Sequence, residues 1–142
     1  MYLLDTNVIS ELRKAKTGKA DPLVLAWAAS VSTEALFISV ITLMELEIGV
    51  RQMERCDAEQ GQRLRSWLDD SVLPTFRERI LPVDESIALR CAALHVSDRL
   101  SDRDAIIAST ALEHGMTVVT RNTSDFESAG VSLFNPWKPS VI

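Results

Sequence analysis

Four acidic residues of this chain occupy positions where they could do chemistry together. Asp5, Glu45 and Asp125 each follow a short apolar run, close to the point where a β-strand would end. Asp104 lies in the first turn of a helical pattern. In a parallel sheet the carboxyl ends of the strands share one edge, and ligands bind beyond that edge. The spacing therefore predicts a single cleft that contains all four carboxylates.

Carboxylates gathered in one cleft repel one another. At about 5 Å and an effective dielectric constant of about 20, Coulomb's law gives roughly 3 kcal/mol for each pair, so the cluster persists only if protons or cations neutralise it. Oxygen ligands without His or Cys suit Mg²⁺ or Mn²⁺. Such ions lower the pKa of a bound water and stabilise charge on a phosphoryl group. The predicted chemistry is metal-dependent hydrolysis of a phosphodiester.

Each acid also has a structural interpretation. Asp5 suits the N-cap of the first helix, and Asp125 suits an ordinary turn. Glu45 completes a capping-box pattern with Thr42. Glu47 remains a rival to Glu45, because apolar residues cover most of this helix and do not choose between the two.

Two neighbouring acids compete for the third place in the site. Asp104 heads an apolar helical stripe, whereas Asp102 lies roughly 200° away around a helix of 3.6 residues per turn. The stripe consists of Ile107, Ala108, Ala111 and Leu112. Asp102 is therefore the better candidate for a surface acid that favours the helix dipole. Asp84 is a further acid near a predicted strand end.

The elements that must position these acids alternate between strand and helix patterns. Strands are predicted over 2–4, 35–40, 80–83, 116–120 and 131–134. Helices are predicted from about 7, from 22, from 41 or 42 to about 53, and over 58–72, 86–99 and 103–114. A basic loop is predicted over 14–19, Pro74 follows the helix 58–72, and Gly115 ends the last helix. The order predicts an α/β three-layer sandwich with a central, mostly parallel sheet and helices on both faces.

Length and composition restrict the class of protein. A chain of 142 residues, 46% hydrophobic and 25% charged, predicts one globular domain over 1–142. A net charge of −5 and a pI near 5.0 argue against a broad basic surface for nucleic acid. Two cysteines make no disulfide framework, and no targeting or membrane-spanning pattern is present. The expected location is the cytoplasm.

Other kinds of site find little support. The five glycines match neither a dinucleotide fingerprint nor a phosphate loop. Cys91 and His95 share a helix face but lack the second pair that a zinc site needs. The three tryptophans are predicted to belong to the core or to an interface rather than to base-stacking platforms.

Several segments together resemble the PIN-domain ribonucleases, specifically toxins of the VapC type in the FitB-like branch. The segments are LLDTNVISEL at 3–12, MELxxG at 44–49, RDAIIASTA at 103–111, VVTRNxxDF at 118–126 and NPW at 135–137. Their order and spacing are specific, and the resemblance extends from Tyr2 to Trp137.

The resemblance implies roles for individual residues. It assigns the acidic metal site to Asp5, Glu45, Asp104 and Asp125, and so prefers Glu45 to Glu47. Thr6 and Asn122 are implied as supports that orient the acids and metal-bound waters. The family also implies Mg²⁺ or Mn²⁺, an RNA substrate, a homodimer, and a cognate antitoxin that blocks the site.

An acidic ribonuclease needs a local positive surface, because phosphate contacts supply most sequence-independent affinity. Arg121 is the leading candidate for RNA binding, followed by Lys14, Lys16 and Lys19, although all four could be solvated surface charges. The favoured function is a toxin endoribonuclease. The alternatives are a housekeeping RNA-processing nuclease and a non-catalytic binding protein with the same fold.

Overall fold

A parallel sheet forms the centre of the molecule. The computed structural model describes residues 1–97 and 100–139. Within them the strands are β1 (Tyr2–Leu4), β2 (Leu36–Ser39), β3 (Ile80–Leu81), β4 (Thr117–Val119) and β5 (Leu133–Phe134). All neighbouring strands are parallel, in the order β3-β2-β1-β4-β5. β1, which carries the first predicted site residue at its end, is therefore the central strand.

Helices cover both faces of this sheet. They are α1 (Thr6–Arg13), α2 (Pro22–Ser30), α3 (Val40–Cys56), α4 (Ala58–Trp67), α5 (Leu73–Phe76), α6 (Glu85–Ser97) and α7 (Asp102–His114). The predicted α/β three-layer sandwich is confirmed. None of the described helices combines the length and the apolar character that crossing a membrane requires.

Alternation along the central strands gives the two faces separate cores. Leu3 pairs in register with Val118, and both pack with α6 and α7. Leu4 pairs with Val119 on the opposite face, where residues of α1, α3 and α5 cover them. All four side chains are fully buried. Successive side chains of a strand point to opposite faces, so the continuous apolar runs are explained by burial on both sides.

Four of the strands are shorter than predicted, and at the ends of β2 and β4 residues have other roles. Ser39 is the N-cap of α3, since its hydroxyl accepts from the Ile41 N–H at 3.0 Å, and Val40 already belongs to that helix. Thr120 follows β4 and donates its hydroxyl to the Asp5 carboxylate. Apolar spacing indicates which residues are buried. It does not show whether a buried residue pairs with a neighbouring strand or has another role at the end of its strand.

The segment predicted as one helix over 58–72 is helical but not uniform, and it continues past Pro74. A π-helical turn, Leu68–Val72, follows α4, and α5 then continues to Phe76 with Pro74 in its first turn. Proline is accepted at that place because the first helical N–H groups have no intrahelical partner. The helix predicted over 86–99 is α6, and position 99 lies outside the described residues.

Two glycines and a short turn complete the frame. Gly115 ends α7 with a φ of 64°, a left-handed conformation that favours glycine. A Cβ on Gly61 would lie 2.5 Å from the Glu54 backbone, so glycine permits the close packing of α4 on α3. The predicted loop over 14–19 begins with a 3₁₀ turn, Lys14–Thr17.

Candidate active site

A cleft of about 530 Å³ at the carboxyl edge of the sheet contains all four predicted acids. Asp5 follows β1, Glu45 comes from α3, Asp104 from the first turn of α7, and Asp125 from the loop after β4. The remaining lining residues are Thr6, Asn7, Ser10, Glu11, Lys14, Arg121, Asn122 and Trp137. The cleft is therefore rich in oxygen ligands and has cations at its margin.

Asp5 is both the N-cap of α1 and a cleft residue. Its Oδ1 accepts from the Thr6 N–H at 2.8 Å. Its Oδ2 accepts from the Thr120 hydroxyl at 2.8 Å and, more weakly, from the Asn7 side-chain amide at 3.4 Å. The side chain is buried. Asp5 is thus the helix N-cap that the sequence suggested, and it also lines the cleft.

Glu45 is fixed from two sides. The Thr6 hydroxyl donates to its Oε1 at 2.7 Å, and the Arg103 guanidinium lies 3.5 Å from its Oε2. The capping-box interpretation of Glu45 is wrong, because α3 begins at Val40 and Thr42 is buried inside the helix. Thr6 therefore bridges two acids, through its N–H to Asp5 and its hydroxyl to Glu45.

Position in the fold separates Asp104 from Asp102. Ser101 is the N-cap of α7 and accepts from the Asp104 backbone N–H at 3.2 Å, and Asp104 lines the cleft. The Asp102 side chain is 94% exposed and lies 3.4 Å from His95. Asp102 is the surface acid that the helical angle predicts.

Asp125 belongs to the 3₁₀ turn Thr123–Asp125 and is exposed. Its N–H donates to the Asn122 carbonyl at 3.0 Å. The Asn122 backbone N–H in turn donates to the Thr120 hydroxyl at 3.1 Å, the same hydroxyl that Asp5 accepts from. Asn122 thus links the loop to Asp5 through its backbone, while its side chain lines the cleft.

The surroundings of Asp5 and Asp104 disfavour the ionised form of each carboxyl group. Burial raises the pKa of Asp5, and the charges of Asp104 and Glu45 raise it further against the hydrogen bonds from Thr120 and Thr6. Burial also raises the pKa of Asp104, with contributions from Asp125 and Glu45. A cation bound among these acids would relieve both effects.

The rival acids have partners elsewhere. Glu47 accepts from both terminal nitrogens of Arg65, at 2.7 and 2.8 Å, and from Arg51 at 2.6 Å. Asp84 caps α6 by accepting from the Ile87 N–H at 2.9 Å. Neither residue lines the cleft.

Two of the four predicted RNA-binding cations line the cleft. They are Arg121 and Lys14, whose ammonium group lies 3.3 Å from Glu11. Lys16 lines a neighbouring depression, and Lys19 is exposed on the segment that leads to α2. The predicted basic loop is therefore divided between the cleft and the surface beside it.

Sequence reasoning missed several residues that hold or line the cleft. Thr120 and Asn7 join Asp5 to the loop after β4, since Asn7 Oδ1 accepts from the Arg121 N–H at 3.2 Å. Glu11 accepts from the Asp21 N–H at 2.9 Å and fixes the start of α2. Asn7 and Thr120 stand inside the motifs LLDTN and VVTRN, which was the available signal. Arg103 and Glu45 also stand inside quoted motifs, RDAIIASTA and MELxxG, but nothing in these motifs indicated that the two side chains would pair.

The donor set fits a divalent cation that water and substrate help to hold. Among the residues that the structure describes, no three His, Cys, Asp or Glu side chains form a ready-made metal site. Mg²⁺ is commonly bound through one or two carboxylates, with water and phosphate oxygens completing its shell. Asp5 and Asp104, whose raised pKa values reflect unrelieved burial and repulsion, are suited to that role.

Comparison with known proteins gives consistent matches. The family model of the PIN domain matches residues 2–131. The VapC ribonuclease Y4jK of Sinorhizobium fredii is 39% identical over 99% of this chain and all of that protein. Toxin FitB of Neisseria gonorrhoeae is also 39% identical, over 96% of this chain and 99% of its own length.

Solved structures agree with the sequence matches. A chain in the crystal structure of FitAcB from Neisseria gonorrhoeae superposes with a TM-score of 0.88 at 38% identity, covering 96% of this chain and 99% of that one. A chain in a toxin–antitoxin complex from Klebsiella pneumoniae has a TM-score of 0.71 at 30% identity, covering 98% and 100%. The similarity therefore includes the whole fold around the cleft.

Proposed function

Because the chain belongs to the PIN-domain family, we propose that it is a divalent-metal-dependent endoribonuclease that acts as the toxin of a toxin–antitoxin pair. The observation that carries this proposal is the convergence of Asp5, Glu45, Asp104 and Asp125 in one cleft. The relatives named VapC ribonuclease and toxin FitB match nearly the whole chain. They support the toxin ribonuclease over the housekeeping and non-catalytic alternatives.

The four acids would hold Mg²⁺ or Mn²⁺, some of them through bound water, and the bound ion would supply an activated water and stabilise charge on the phosphoryl group. The chain prepares these ligands in advance. Thr120 and the Thr6 N–H fix the Asp5 carboxylate, and the Thr6 hydroxyl fixes Glu45 at the same time. Preorganised ligands lose little conformational freedom when the site is filled.

The substrate we propose is RNA, with Arg121 and Lys14 contacting its phosphates from the cleft margin. An acidic chain with a net charge of −5 repels a polyanion in general, so its affinity depends on these local cations and on the bound metal. Lys16 and Lys19 would extend the positive surface beside the cleft. We also propose a homodimer and a cognate antitoxin as partners, and the complexes formed by the structural relatives support the antitoxin.

A cleavage assay tests the enzymatic part of the proposal. The purified protein, free of any antitoxin, is incubated with total RNA and Mg²⁺ or Mn²⁺, and the cut ends are mapped. We expect internal cleavage that stops when the metal is chelated and returns when it is restored. Undiminished cleavage after thorough chelation would contradict metal dependence.

Growth tests the toxin part separately. Expression of the chain alone should arrest growth, and co-expression of the product of an adjacent small gene should relieve the arrest. An active enzyme that is harmless at high expression would overturn the toxin assignment and favour the housekeeping nuclease.

A further inference from the structure

Trp137 packs against the core and also lines the acidic cleft. Its ring is half-buried, lines the cleft and carries the Arg121 guanidinium, whose central carbon lies 5.4 Å from the ring centroid. Trp27, by contrast, packs between Tyr2 and Phe134, with ring centroids 5.4 and 5.5 Å away. Of these two indoles, Trp137 is the one that faces the cleft of the proposed reaction.

Asn135 joins the backbones of Trp137 and Arg121. Its side-chain oxygen accepts from the Trp137 backbone N–H at 2.9 Å, and its side-chain amide donates to the Arg121 carbonyl at 3.3 Å. The Arg121 backbone N–H donates to the Asn7 side chain, which also contacts Asp5. A continuous chain of hydrogen bonds therefore connects the two backbone segments to Asp5.

From this arrangement we propose that Trp137 and Arg121 form a subsite for one unpaired nucleobase of a single-stranded RNA, next to the phosphate that is cut. The inference rests on the proposed ribonuclease function. Proteins that read single-stranded RNA stack unpaired bases on aromatic rings and on the guanidinium plane of arginine. Here an indole and a guanidinium already lie against each other beside the carboxylates.

Stacking also suits the charge of this site. The cleft lining contains five acids, Asp5, Glu11, Glu45, Asp104 and Asp125. They repel the RNA backbone wherever no cation intervenes, whereas a nucleobase is uncharged and loses nothing to that repulsion. A base bound on Trp137 and Arg121 would therefore hold the neighbouring phosphate beside the acids. The base itself is not repelled by the negative charge of the acids.

Binding of an RNA oligonucleotide that spans a mapped cut site tests the subsite. Affinity is measured by fluorescence anisotropy with Mg²⁺ in an Asp5→Asn background, in which cleavage is stopped. A series of oligonucleotides carries one abasic nucleotide at successive positions. We expect one position at which loss of the base weakens binding about fivefold or more, the lower range for base–aromatic stacking.

Two substitutions of Trp137 attribute that loss to the ring. Trp137→Phe keeps an aromatic face and should bind within about twofold of its parent. Trp137→Leu should weaken binding of the intact oligonucleotide about fivefold or more and show no additional loss at the abasic position. Melting temperatures of both variants establish that they are folded at the temperature of the assay, and the abasic series on the parent protein needs neither variant.

The outcomes distinguish failure of the nucleobase subsite from failure of the proposed ribonuclease function. Equal affinity for every abasic oligonucleotide, or an abasic penalty that persists in Trp137→Leu, would overturn the subsite while leaving the ribonuclease intact. Absence of any metal-dependent cut in total RNA would overturn the proposed function, and the subsite with it.

Discussion

Two glutamates on one helix, two residues apart, have opposite surroundings. Glu47 pairs with Arg65 of α4 and with Arg51 of its own helix, and together they hold its pKa well below the usual range, at about 2. Glu45 faces the cleft, where a threonine hydroxyl is its closest partner and Arg103 is at 3.5 Å. α3 therefore carries a structural acid on one side and a site acid on the other.

The difference extends to the regions around them. On the α4 side, Arg65 also reaches Glu54 and Asp69, so that acids and arginine form a network. On the cleft side, Asp5 is held by hydroxyl and N–H groups, and its pKa is raised rather than lowered. Acids that a protein neutralises internally contribute to its stability, whereas acids left without full neutralisation are available to bind a cation.

The sharpest way to break this comparison is to neutralise one acid of each kind. Asp5→Asn keeps an oxygen for the Thr6 N–H but removes a charge of the site, so RNA cleavage should fall at least about 100-fold, because even the groups that orient metal ligands contribute 10–100-fold. Glu47→Gln, the matched control on α3, should cleave within about twofold of the wild type. Near-wild-type cleavage by folded Asp5→Asn protein would mean that Asp5 only caps α1 and is not needed for the reaction.

A substitution in the Arg65 network on the α4 side should change stability instead of cleavage. Arg65→Met removes the partner of Glu47, Glu54 and Asp69 and should lower the urea midpoint of unfolding slightly, because solvent screens ion pairs of this kind. Cleavage should not change. Urea unfolding measures the loss, and a variant that unfolds normally but cleaves poorly would show that the two regions are coupled.

The smallest effect is a pH dependence of opposite sign on the two sides. A raised pKa contributes stability that is lost as the pH rises through the folded-state pKa, so metal-free Asp104→Asn should melt above the wild type at pH 7. That advantage should narrow as the pH falls toward 3.8, the ordinary value for Asp104. The stability supplied by Glu47 is instead present above 4.5 and is lost on acidification toward about 2.

Melting curves of Asp104→Asn, Glu47→Gln and the wild type between pH 7 and about 2 measure this contrast, because the Glu47 contribution is lost only below 4.5. Parallel shifts of both variants across the whole range would mean that the cleft acids are no more perturbed than the network acids.

The order of elements followed from the sequence because burial on both sheet faces leaves a clear apolar record. The ends of the strands and helices were harder to predict. Ser39 ends β2 and Thr120 follows β4, and their hydroxyls bond to the start of α3 and to Asp5. The continuation through Pro74 depends on a π-helical turn, which has no signal in apolar spacing.

The site was predictable to the extent that each acid follows a recognisable element. The choice between Asp104 and Asp102 followed from helical angle. The choice between Glu45 and Glu47 did not, because it depends on where Arg65 of α4 lies in three dimensions. The Trp137–Arg121 pair was missed for the same reason, since it depends on how Asn135 joins the segments that follow β4 and β5.

The most direct test of the account is the metal response of folding stability in Asp104→Asn and Asp102→Asn, both compared with the wild type in the same oligomeric state. An ion that binds only the folded protein stabilises it by RT ln(1 + [L]/Kd), about 2.7 kcal/mol at a hundredfold excess of Mg²⁺ over Kd. We expect the full gain in wild type and in Asp102→Asn, and a clearly smaller gain in Asp104→Asn. A full Mg²⁺ response in Asp104→Asn, or its loss in Asp102→Asn, would contradict the claim that the cleft acids hold the metal.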